Sequence, residues 1–133
     1  MVTGDRVHLR SGPGLSYEIL LTFHLRDKVE VVERRGDWFG VHLPEGSSLY
    51  VHRSLVETGE GEGWIRGDRV QVRSGPGVTR TRMGFLSKGE RVLIRGVEND
   101  WVRIVPPASF LGWVREDYVI FLQPLEEKTP GAS

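Results

Sequence analysis

Apolar and polar residues alternate in short runs along this chain, and turn-forming residues cut the runs apart. Val7 and Leu9 alternate with polar neighbours, as do Val70 and Val72, which is the period-two signature of a half-buried strand. Ser11-Gly12-Pro13-Gly14 and Ser74-Gly75-Pro76-Gly77 break the chain into loops. In the first half, apolar runs follow over Ile19 to Leu25 and Lys28 to Glu33, with a turn at Arg26-Asp27. Arg35-Gly36-Asp37 then turns into Trp38 to Leu43, and Glu45-Gly46-Ser47 turns into Leu49 to His52. This pattern predicts about five short strands and no amphipathic helix in that half.

The second half repeats the first. Gly4-Asp5-Arg6-Val7-His8-Leu9-Arg10-Ser11-Gly12-Pro13-Gly14 returns as Gly67-Asp68-Arg69-Val70-Gln71-Val72-Arg73-Ser74-Gly75-Pro76-Gly77, an offset of 63 residues. The same offset pairs Asp37-Trp38 with Asp100-Trp101, Tyr50-Val51 with Trp113-Val114, and Val56 with Val119, without a gap. Two copies of a unit this long predict two domains rather than a solenoid. A sheet of five short strands must close to bury a core and hide its edges, so the expected fold is all-β: two small closed barrels in tandem. The expected bounds are 1–57 for the first barrel, 58–63 for an acidic linker, 64–122 for the second barrel and 123–133 for a flexible tail.

Strand parity separates core from outer face. Phe39, Val41 and Leu43 point inward and leave Trp38, Gly40 and His42 on the other side. Val102 and Ile104 point inward in the second copy, so Trp101 and Arg103 point out.

Composition narrows the function. The 133 residues are 38% hydrophobic and 27% charged, a globular balance. Eighteen basic and eighteen acidic residues cancel, so there is no general attraction to nucleic acid or to anionic membranes. No apolar run is long enough to span a bilayer. With no cysteine, disulfides, thiolate nucleophiles and Cys-based metal sites are all removed. If His42 and His52 faced each other on neighbouring strands, the two-histidine pair would still lack a third metal ligand. Arg35-Gly36-Asp37 and Arg66-Gly67-Asp68 read as turns rather than adhesion motifs. No catalytic order of Ser, His and Asp stands out. The chain therefore reads as a binding protein, without catalysis, cofactor or metal.

The repeats resemble bacterial SH3 (Src-homology-3) domains, which implies that the two tandem barrels are SH3-like. Val70 to Gly77 resembles the family's opening signature, and Asn99-Asp100-Trp101-Val102-Arg103-Ile104 its central Trp strand. Gly112-Trp113-Val114 with Tyr118-Val119 resembles its closing strand and 3₁₀ turn. The first copy departs from this: Leu49-Tyr50 stands for Gly-Trp, and Leu55 for Tyr. The resemblance implies cell-wall work, with recognition of peptidoglycan peptides and any peptidase domain outside this chain. It also implies the cell envelope or the exterior. Met1 to Asp5 carries no signal, so either the protein is cytoplasmic or the sequence begins after a removed one. The alternative is a protein–protein module that binds an extended peptide or a partner domain in a larger assembly.

The candidate binding residues are Trp101, Trp113, Tyr118, Arg80, Arg82, Trp38, Tyr17 and Tyr50. Trp38 and Trp101 serve as flat anchors or as seals over the Gly-Pro-Gly loops. Trp113, Tyr118 and Tyr50 come near the barrel mouth, although Gly112 beside Trp113 also suits core packing. Tyr17 sits in the first loop, where the second copy has Arg80. Arg80 and Arg82, with Arg73 and Arg103, make the second copy locally basic and suited to carboxylates. The second copy is thus expected to be the better binder, through Trp101 with Tyr118 and the loop Val78 to Arg82.

Overall fold

The computed structural model describes residues 1–121; the tail expected over 123–133 lies outside them. The described chain is all-β. Twelve strands are joined by turns: β1 (Val7–Arg10), β2 (Ile19–Phe23), β3 (Val31–Arg35), β4 (Trp38–His42), β5 (Leu49–His52), β6 (Val56–Thr58), β7 (Glu62–Ile65), β8 (Val70–Arg73), β9 (Arg82–Leu86), β10 (Arg91–Glu98), β11 (Trp101–Ile104) and β12 (Leu111–Arg115). Two 3₁₀ turns, Arg53–Leu55 and Glu116–Tyr118, follow β5 and β12.

The strands form two sheets whose membership crosses the repeat boundary. One is ordered β2-β1-β12-β4-β3, the other β6-β7-β10-β11-β5-β8-β9. The closing strand of the second copy, β12, thus lies between β1 and β4 of the first. The closing strand of the first copy, β5, lies between β11 and β8 of the second. Both exchanged strands keep the same register: Trp38 faces Arg115 and Trp101 faces His52. Each copy has opened the connection after its Trp strand and donated its closing strand and 3₁₀ turn to the other barrel.

This corrects the expected bounds. The first barrel is discontinuous, with a core of Val2, Val7, Leu9, Phe23, Phe39, Val41, Val114 and Val119. The second is continuous, with a core drawn entirely from Leu49 to Phe110. The segment expected as an inter-barrel linker is a hairpin inside the second barrel: β6 pairs with β7, Thr58 facing Gly63. Gly61 at φ +74° makes that reversal without a Cβ penalty. Glu45-Gly46-Ser47, expected to join two paired strands, belongs instead to the crossing from one barrel to the other. Leu43, at the start of this crossing, packs against both cores.

Side-chain volumes explain the exchange. Gly112 of β12 lies on Leu9, and a Cβ at Gly112 would come within 2.7 Å of the Leu9 side chain. The matching positions in the second barrel are Leu49 and Val72, both buried in its core. One barrel thus pairs Leu with Gly, the other Val with Leu. Without the exchange, Leu9 would meet Leu49, and Val72 would meet Gly112. The first pairing overfills its site and the second leaves a void, and either error costs about 1–3 kcal/mol.

Parity is as the sequence predicts. Val41, Val102 and Ile104 are fully buried, while Trp38 and Trp101 belong to neither aliphatic core.

Candidate functional site

The exchange builds a groove on the first barrel from both repeats. The approach to β1 supplies Asp5 and Arg6, β1 itself His8, and the first loop adds Leu15. Trp38 comes from β4, while Arg115, Asp117 and Tyr118 come from the end of β12 and its 3₁₀ turn. Together they line a cavity of about 480 Å³. Trp38 forms a well-covered floor at 9% exposure, and Tyr118 a wall at 44%. The Tyr118 ring lies over Gly4.

Charge in this groove is largely committed. The Arg115 guanidinium lies 5.8 Å from the Trp38 ring centroid, a cation–π distance, and pairs with Asp117 at 3.3 Å. That hydrogen bond holds the Asp117 carboxyl below the ordinary carboxylate range. Arg10 donates to the carbonyls of Leu15 and Tyr17, which ties the first loop to its barrel. His8 Nδ1 lies 3.3 Å from the Thr22 hydroxyl, and Asp5 lies 3.6 Å from His24. Arg6 differs. Its backbone is left-handed, at φ 61°, a conformation that costs a non-glycine residue about 1 kcal/mol.

The second barrel carries the matching constellation in another chemistry. His52 takes the place of Arg115 and meets Trp101 edge-on at 5.2 Å. Ser54 and Leu55 replace Asp117 and Tyr118, and the His52 ring caps its turn by accepting from the Ser54 amide. Trp101 and Tyr118 therefore serve different barrels, and the expected pairing of the two in one site is corrected. The reason is the exchange: the 3₁₀ turn bearing Tyr118 follows β12 into the first barrel.

The remaining candidates are dispersed. Tyr17 and Arg80 occupy matching positions, each folded over its own loop glycines, Gly12 and Gly75. Arg80 pairs with Glu18 at 2.6 Å, so its charge is already partnered. Arg82 begins β9 with Arg73 as its cross-strand neighbour. Trp113 is 7% exposed yet outside the first core. It lies across Gly40, with Arg35 5.4 Å from its ring centroid. Tyr50, its counterpart, donates to Glu98 at 3.2 Å. Burial, then this bond and the Glu98 charge, push the Tyr50 hydroxyl above its ordinary pKa. Sequence reasoning missed Arg6 and Arg115; the only signal was the offset that aligns them with Arg69 and His52. Among the described residues no helix is long and apolar enough to cross a membrane.

Both repeats have counterparts among known proteins. A 129-residue stretch is 26% identical to the Bacillus subtilis (strain 168) protein named "Putative N-acetylmuramoyl-L-alanine amidase YrvJ", in an alignment that takes in 90% of this chain and 25% of that protein. The chain thus spans about a quarter of the length of that relative. No solved structure matches it. The family model described as "Bacterial SH3 domain" matches twice, over residues 5–71 and 68–120, and on this coverage the chain belongs to the bacterial SH3 domain family.

Proposed function

We propose that this chain is a non-catalytic cell-wall binding module that recognises peptidoglycan peptides in the groove of its first barrel. The observation that carries the reading is the groove itself: a cavity of about 480 Å³ floored by Trp38, walled by Tyr118 and rimmed by charged side chains. An aromatic floor with polar groups at its edge suits a short peptide, because the rings bury the peptide's apolar parts while the rim fixes its charges. Family membership and the likeness to a relative named as a muramoyl-alanine amidase support the wall as the target. On this reading the module works in the cell envelope, and amidase or peptidase chemistry lies outside this chain.

Sedimentation with isolated cell walls tests it. The wild-type chain is expected to co-sediment. Trp38→Ala is expected to weaken binding about thirtyfold, the effect of truncating a central aromatic anchor, and Trp101→Ala to change it little. Wild-type protein that stays in the supernatant overturns the wall reading. Loss with Trp101→Ala alone moves the site to the second barrel.

A further inference from the structure

We propose that Arg6 is the carboxylate-binding residue of the first groove and restricts it to acidic peptides; this rests on the wall-peptide reading above. Four basic side chains line the cavity. Three are engaged: Arg10 with two loop carbonyls, Arg115 with Asp117 and the Trp38 face, and His8 with Thr22. Among the described residues, no hydrogen bond, ion pair or aromatic ring engages the Arg6 guanidinium.

The second copy shows what this position does when it is structural. Arg69 shares the left-handed backbone, at φ 50°, and its guanidinium lies 4.3 Å from the centroid of the Phe85 ring. There the side chain has a partner within the fold. The first copy has Thr22 at the place of Phe85, and Thr22 faces His8 instead. Arg6 therefore keeps a backbone conformation that glycine would adopt freely, while among the described residues its guanidinium gains no hydrogen bond, ion pair or ring contact in return. Residues held in such conformations cluster at binding sites. What an unengaged guanidinium at the rim of an aromatic cavity offers is a two-pronged donor for a carboxylate. Wall stem peptides carry such carboxylates.

The test uses the full chain and two probes: a stem tetrapeptide with free carboxylates, and the same peptide with its carboxylates amidated. Titration is expected to show tighter binding of the acid. Arg6→Gly is expected to weaken the acid about tenfold, leave the amide unchanged and leave the melting temperature unchanged or raised. Arg69→Gly is expected to leave both affinities as they are. Equal wild-type affinity for acid and amide overturns the role of Arg6 and leaves the wall reading intact. Equal loss of both probes in Arg6→Gly, or a lowered melting temperature, assigns Arg6 to the fold and likewise overturns it. A wild-type chain that binds neither probe overturns this inference together with the wall reading.

Discussion

Glu18 and Thr81 hold the same place in the two repeats, and they hydrogen-bond to each other: the Thr81 hydroxyl donates to Glu18 Oε1 at 2.8 Å. Ser74 donates to the same oxygen at 2.8 Å, and Arg80 reaches Oε2 at 2.6 Å. One carboxylate of the first barrel thus gathers three donors from the second.

Burial works against the Glu18 charge, but the bonds from Arg80, Thr81 and Ser74 outweigh it and hold its pKa below the ordinary 4.5. A depressed carboxylate pKa contributes stability that is present above the unfolded value and lost as pH falls through the folded one. Glu18→Gln is therefore expected to destabilise the protein by about 1 kcal/mol at pH 7, discounted for the exposure of Arg80. The difference from wild type should shrink as pH falls below 4.5. Denaturant melts of both proteins at pH 7 and pH 3 check this; a difference independent of pH contradicts it.

The exchange predicts which fragments fold. Residues 49–110 contain every member of the second core, so this fragment is expected to give a dispersed NMR spectrum as a monomer. Residues 64–121 follow the repeat boundary but lack β5, the strand between β8 and β11, and are expected to fail as a monomer. The reverse result would show that the closing strands stay in their own repeats.

Volume matching at the exchanged strands is expected to be non-additive. Gly112→Leu should cost about 3 kcal/mol by overfilling the Leu9 site. In a Leu9→Val background, which copies the Val72–Leu49 pairing, the same change should cost at least 1 kcal/mol less. A double-mutant cycle measured by urea unfolding reads the coupling directly, and strict additivity would refute the volume account.

Val41 and Ile104 are fully buried at the inward parity of β4 and β11. Val41→Asp or Ile104→Asp places an unpaired charge in an apolar core, at a cost of several kcal/mol. Thermal melting is expected to show loss of the corresponding barrel.

Much of this fold is legible in the residues. Alternation alone puts Phe39, Val41, Val102 and Ile104 inside and leaves Trp38 and Trp101 out of the cores, because a strand's two faces see different solvents. The partner of each closing strand was harder to read. β5 and β12 carry the same strand signal, and hydrogen-bond ladders accept either. Only the reciprocal sizes of Leu9 with Gly112 and Val72 with Leu49 distinguish the two pairings, and that signal appears once the four positions are considered together. The site inherited the difficulty. Trp101 and Tyr118 are neighbours within a repeat but not within a barrel, and Arg80 is neutralised by Glu18 of the other copy.

The discontinuity of the first barrel sets an order of events during translation. β1 to β4 leave the ribosome first, yet their sheet lacks its middle strand until β12 emerges about seventy residues later. The second barrel, begun later, has all its strands once β11 is out. A nascent chain thus completes its downstream domain before its upstream one, the reverse of the usual N-terminal-first sequence. In the interval the faces of β1 and β4 that await β12 stand open, and they are the surfaces a chaperone or a neighbouring nascent chain would meet.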